Sequence, residues 1–368
     1  MTVRIGLAVL CIAAAFLAVP VAGWAAVKGH CANCHTMHNS QQGQMVAFTR
    51  DSTGQPQLRE TAFGMLLKTD CIGCHSHPGA ETIVMVGDSV VPVVLNLATP
   101  TYPPNGSSTS VLAGGNFHWA IQGGDAHGHN VFGISGVDFR FSSSLAPGGE
   151  PRTQQGCQDC HGTLASPQSG CVGCHVPQHH ANGPNVVAGR EEGWYRFLGS
   201  VMQRNEQGGA TAQGVVGIEA ADWEQNPQTN RHNTYQGKAG PYASYLESGS
   251  INQKCAGCHG YYHNQTLADA TWIRHPVDAR IPDAGEFTGY SNYNPLVPVA
   301  RPNVTAQDAN FATINRGTDL VACISCHRAH GSPYPAMLRW PYRDWPGIDP
   351  QTGQAAVNGC AVCHTSKD

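Results

Sequence analysis

Seven pentads of the form C-x-x-C-H run through this chain and use fourteen of its fifteen cysteines. They are Cys31-Ala-Asn-Cys34-His35, Cys71-Ile-Gly-Cys74-His75, Cys157-Gln-Asp-Cys160-His161, Cys171-Val-Gly-Cys174-His175, Cys255-Ala-Gly-Cys258-His259, Cys323-Ile-Ser-Cys326-His327 and Cys360-Ala-Val-Cys363-His364. Two thiols about one helical turn apart suit addition across the two vinyl groups of one porphyrin, and the next residue then offers an imidazole to the iron. The pentad is the c-type haem attachment signature. A disulfide framework gives no reason for a histidine after every second cysteine. Structural zinc joins C-x-x-C units in pairs, and seven units leave one over. The spacing therefore predicts seven covalently attached haem c groups.

The first Cys residues of successive motifs stand 40, 86, 14, 84, 68 and 37 residues apart. The short third gap tethers the haems of Cys157 and Cys171 as neighbours. At about 50 residues per haem, the polypeptide is too short for seven separate side-chain cores. The expected fold is a multihaem cytochrome: mostly irregular coil, short helices after the attachment motifs, and the haem chain as the core. One β-hairpin is predicted in the second gap, Thr82 to Val86 returning through Val90 to Leu95, because β-branched runs flank the turn residues Gly87-Asp88-Ser89.

Residues 1–25 read as a secretory signal peptide, with Arg4 before an apolar run from Ile5 to Ala22 and small residues around Ala25. An uncleaved anchor is the competing reading, and Pro20 with the small-residue exit favours cleavage. The fifteenth cysteine, Cys11, lies in this segment. Residues 26–368 then form a single heptahaem domain, periplasmic, extracellular or on the cell surface, with no membrane span after cleavage. Only 12% of residues are charged and the formal net charge is −4. Such a chain lacks the basic footprint that nucleic-acid binding requires.

Nineteen histidines minus seven in the pentads leave twelve, enough for a second imidazole at every iron. His38 and His330 each follow a motif histidine by three residues, and His263 follows His259 by four. At those spacings, on a short helix after the motif, a side chain projects past its own haem toward a neighbour. His179 and His180 offer one ligand between them, and spacing does not choose. Met37, between His35 and His38, is a weaker thioether candidate.

With its seven pentads and phrases such as Cys31-to-Gln42, CANCHTMHNSQQ, and Cys323-to-Pro333, CISCHRAHGSP, the chain resembles bacterial multihaem c-type cytochromes that deliver electrons to metals or other extracellular acceptors, the second phrase being much like their doubled C-x-x-C-H modules. Gly128-His129-Asn130-Val131 and Arg274-His275-Pro276-Val277 resemble the distal-ligand segments of that group, and His232, in Arg231-His232-Asn233-Thr234-Tyr235, resembles another. The resemblance completes a set of seven distal ligands: His38, His129, His232, His263, His275, His330 and one of His179 and His180. His30, His77, His118 and His127 are left as non-ligands. It implies an electron carrier rather than an enzyme, with low-spin bis-His irons, exchanging electrons with other multihaem cytochromes or extracellular acceptors. It also resembles the filament-forming members, in which subunits associate head to tail. The alternative is a multihaem nitrite or hydroxylamine oxidoreductase with one open iron, although no motif carries the lysine that would mark one.

Overall fold

The computed structural model describes residues 71–102, 111–134, 195–198, 214–239, 249–259, 275–305 and 311–366, with short interruptions. It also describes Cys157, His161, Val186, Asp308 and four strands between Ser40 and Leu58. Regular structure among these residues is sparse. Eleven strands of two to four residues are β1 Ser40–Gln41, β2 Gln44–Met45, β3 Phe48–Arg50, β4 Pro56–Leu58, β5 Ser76–His77, β6 Ile83–Val86, β7 Ser89–Pro92, β8 Leu95–Asn96, β9 Gly217–Ile218, β10 Thr234–Gln236 and β11 Ala300–Arg301. The helices are α1 His118–Gly123, α2 Ile251–His259, α3 Cys323–Cys326 and α4 Cys360–Cys363, with single 3₁₀ turns such as Cys71–Gly73.

The hairpin lies where β-branched patterning puts it. β6 and β7 pair antiparallel with Ile83 opposite Pro92 and Val86 opposite Ser89, so the second strand starts at Ser89 rather than Val90. β5 and β8 run parallel, Ser76 beside Leu95, which folds the segment after Cys71–His75 onto the returning strand. β10 is the centre of a three-stranded sheet, antiparallel to β9 and parallel to β11. It brings residues 217, 235 and 300 together across more than 80 positions of sequence.

Two of the short helices start at attachment motifs, as expected: α3 and α4 run from first to second cysteine, while α2 ends on His259 and α1 stands away from any motif. At the end of α3, His327 is extended (φ −114°, ψ 155°) and bridges to Leu338, so the chain leaves the helix at the histidine. Gly331, at φ +149°, keeps residues 328–331 from continuing as a helix. His330 therefore sits in a bend and not on a helical turn.

Side-chain packing forms several small clusters, many built against motif residues. Ile72, Leu95, Phe117, Ala120, Val131 and Ile134 pack with Cys157. Leu296, Val297 and Trp340 pack with Cys326 and Cys363. Tyr195, Tyr235, Ile251, Ala300, Leu320 and Ala322 hold α2 against the segment leading into α3. Each cluster is the size of one or two side-chain layers, as a chain with so few long elements must produce.

Candidate haem sites

In the motifs at 71, 157, 323 and 360 the backbone makes one turn between the first cysteine and the histidine. In each described motif the histidine amide closes that turn on the first cysteine carbonyl, at 3.0 Å for His75, His327 and His364 and 2.9 Å for His161. No disulfide forms among the described cysteines.

The imidazoles are then fixed through Nδ1. His75 donates to the Pro92 carbonyl, His161 to Arg196 and His327 to Ala336, each at 2.7 Å, while His364 donates to the Glu286 carboxylate at 2.8 Å. His129 and His275, outside the pentads, behave alike, donating to the carbonyls of Ala329 at 2.6 Å and Pro276 at 3.0 Å. A ring that donates from Nδ1 presents Nε2 as its lone pair, which is how protein shells orient a metal-binding histidine. Burial, the largest influence on each, lowers the His161 pKa to about 4 and that of His330 to about 3. Both rings are thereby neutral at physiological pH, the state in which imidazole binds a metal.

Among the described residues, three motif histidines lie beside a second histidine from elsewhere in the chain. Ring centroids are 5.8 Å apart for His259 and His129, 6.1 Å for His161 and His330, and 6.2 Å for His364 and His275. A metal–imidazole bond is about 2 Å, and the ring centre lies about 1 Å beyond the nitrogen, so two imidazoles on opposite faces of one iron stand roughly 6 Å apart. The three separations have that width. Phe117 stacks on His330 at 4.8 Å, and Gly114 leaves space that a Cβ would take from the His330 ring.

His232 behaves differently. Its ring is 1% exposed, with Nδ1 at 2.7 Å from the Asn233 carbonyl and Nε2 at 2.8 Å from that of Phe311. It stacks on Tyr293 at 3.5 Å and 11°. Both nitrogens face carbonyl oxygens and one ring face is covered, so no approach is left for an iron. His232, expected from the sequence as a distal ligand, is packed in this structure between Tyr293 and Phe311. His77, set aside in the sequence, accepts the Gly79 amide at Nδ1, while His118 and His127 point Nδ1 at the carbonyls of Asn96 and Ser332. His30, His35, His38, Met37, His175, His179, His180 and His263 lie outside the described residues, as do Cys31, Cys34, Cys74, Cys160, Cys171 and Cys174.

The residues present fit haem. Buried donors without a partner are rare in proteins, yet the hydroxyls of Tyr195 and Tyr293, the indole nitrogens of Trp119 and Trp340, and Nδ1 of His330 are all buried and unpaired. Such groups suit a large cofactor with acidic propionates beside the motif cysteines. Among the described residues, no His, Cys, Asp or Glu cluster otherwise forms a metal site. Neither these donors nor Glu286 carries a sequence signal, because each depends on which distant segment folds beside it.

The family model of the doubled CXXCH motif matches residues 315–368, which contain the last two pentads. The chain is 27% identical over 373 residues to the C-type cytochrome OmcS of Geobacter sulfurreducens, covering 84% of this chain and 78% of that protein. Two solved structures of that organism's protein, titled as an outer-membrane cytochrome S filament and as OmcS nanowires, each cover 93% of this chain. They give TM-scores of 0.49 at 20% and 18% identity. The pentads, the ring orientation and the matched module are features shared with c-type cytochromes. The module at 315–368 matches the doubled-CXXCH family model, and the chain over most of its length is similar in sequence to the C-type cytochrome OmcS.

Proposed function

We propose that this protein conducts electrons along seven covalently attached, bis-His haems outside the cytoplasm, as a subunit of a head-to-tail filament. The observation that carries the reading is the set of three facing imidazole pairs, each joining a motif histidine to a histidine at least 89 positions away. Bound haem supplies a one-electron Fe(III)/Fe(II) couple.

The chain's own residues do the rest. Cys255 and Cys258, Cys157 and Cys160, and Cys360 and Cys363 anchor the groups held by the pairs His259/His129, His161/His330 and His364/His275. The carbonyls of Arg196 and Ala329 and the Glu286 carboxylate hold the imidazoles in one tautomer and orientation. Ligands that do not exchange keep reorganisation on electron arrival small and leave no coordination position for a substrate, which supports a carrier over an enzyme. In this reading His232 packs instead of ligating; His38, His263 and one of His179 and His180 join His129, His275 and His330 as distal ligands, and the seventh is a further histidine.

Neighbouring motifs touch. Cys255 and Cys323 are within hydrogen-bonding reach of one another, and Cys326 lies in the field of Cys360 and Cys363. His330 and His129, from adjacent pairs, also interact. These contacts support an order in which the haems of motifs 157, 255, 323 and 360 follow one another in space, close enough for hopping. The named relative is a filament protein, and self-association through heterologous contacts that do not close makes open filaments. A leader at 1–25 supports export.

Intact-mass measurement of the protein purified from a host with a c-type maturation system tests the count. The reading expects a chain without residues 1–25 and with seven haem additions. Fewer than seven additions on the mature chain contradicts it.

A further inference from the structure

We propose that Asp278 is a redox-linked proton site for the haem pair attached at Cys255 and Cys323, so that electron transfer through this junction is coupled to proton uptake. The proposal rests on the preceding reading that haems are bound at these motifs.

Asp278 sits where the two motifs meet. Its side chain is 7% exposed, and Oδ1 accepts the Asn252 side-chain amide at 2.7 Å. The same Asn252 accepts the Cys323 amide at 2.8 Å through Oδ1 and lies three residues before Cys255 on α2. One carboxylate is thus joined through one amide side chain to the start of α3 and the body of α2. Its charge acts on both Cys255 and Cys323. The backbone pins it there: the Asp278 amide donates to the Val321 carbonyl at 2.9 Å, and the residue adopts φ +57°. None of the motif chemistry requires a buried acid at this junction, and among the described residues it forms no salt bridge.

The surroundings are sparsely charged. α2 contributes Lys254 and Cys255, α3 contributes Cys323, and the Lys238 backbone amide also donates to the carboxylate. On its own segment, His275 is engaged with the Pro276 carbonyl and Arg280 with that of Gly317. Once haem is attached, both cysteines are thioethers and no longer titrate, leaving Asp278 and Lys254 as the ionisable side chains in this group. Burial, opposed by the Asn252 and Lys238 hydrogen bonds, raises the carboxyl pKa to about 6, inside the range where a cell-surface protein works.

The coupling follows from charge. With haem held at Cys255 and Cys323, a one-electron reduction there, supplied by a neighbouring haem, would remove one positive charge beside Asp278. One proton from water then joins the carboxylate, giving the neutral acid and leaving the net charge of the junction unchanged. When the electron passes to the next haem, the proton returns to water. Between the carboxyl pKa values of the oxidised and reduced states, the pair's potential falls as pH rises. For one proton per electron the limit is about 59 mV per pH unit. Below both pKa values the slope is zero.

The test uses the full-length holoprotein. Redox-induced infrared difference spectra of protein grown with unlabelled or ¹³C-carboxyl aspartate should show a protonated-carboxyl band that appears on reduction and shifts with the label. Asp278→Asn, in which asparagine tolerates the positive φ, should lose both the band and the sloped part of the potential–pH curve, holding near the low-pH potential of the parent. A slope that survives D278N, or a carboxyl band insensitive to the aspartate label, would overturn the proposal and assign the proton to a haem propionate. Absence of any slope in the parent protein would overturn it also, with no variant needed. Haem missing from proteolytic fragments carrying Cys255 or Cys323 would instead defeat the underlying haem assignment, so the two failures are distinguishable.

Discussion

His129 and His232 illustrate how one residue type in similar sequence surroundings takes different work. His129 spends Nδ1 on the Ala329 carbonyl and turns its ring toward His259, whereas His232 spends both nitrogens on carbonyls and stacks on Tyr293. His129→Ala should convert one low-spin ferric haem to high spin, read by electron paramagnetic resonance. His232→Ala should leave the spin state unchanged and cost about 1–3 kcal/mol of stability, because a buried carbonyl loses its donor and the Tyr293 ring its stacking partner. Glu286 makes a further residue-scale prediction. Its carboxylate bond to His364 increases the electron density of that imidazole and favours Fe(III). Glu286→Gln should therefore raise the potential of the most C-terminal haem in a spectroelectrochemical titration, with the other potentials unchanged.

Among the elements, the motif helices and the 83–92 hairpin were legible in the sequence, since each depends on local spacing: C-x-x-C-H over one turn, and β-branched runs about a turn. The parallel pairings were not. β5 with β8 and β10 with β11 join segments without alternating patterns, and their partners are fixed by where the motif residues pack. The same holds for the bend carrying His330, whose spacing from His327 suggested a helix while Gly331 and the His327–Leu338 bridge draw the chain out. At that bend Gly115, at φ +82°, packs directly on the Gly331 carbonyl, with the Asn116 amide bonded to it at 3.1 Å. Gly115→Ala should separate these segments, lower the thermal midpoint by the equivalent of about 2 kcal/mol or more, and broaden the low-spin signal of the His161/His330 haem. An unchanged midpoint and spectrum would show that this close approach is not what seats His330.

For the whole molecule, the sequence carried the haem motifs and their low cost in polypeptide, and the structure adds that side-chain clusters alone are small and tied to those motifs. Which histidines meet across the chain was beyond the reach of spacing, because tertiary approach decides it: the His330 ring lies beside that of His161, 169 positions earlier. A fold assembled around such pairs should not persist without its cofactor. Protein expressed without the haem-attachment machinery should lack cooperative unfolding by circular dichroism, by the linkage that leaves small metal domains unfolded without metal. A sharp thermal transition in that apo protein would show that the polypeptide supplies a sufficient core itself. The central claim is that every iron is closed by two imidazoles. It is tested most directly by integrated electron paramagnetic resonance of the fully oxidised holoprotein. The account predicts seven low-spin ferric haems per chain and no high-spin signal; a stoichiometric high-spin haem in the intact, assembled protein would contradict it.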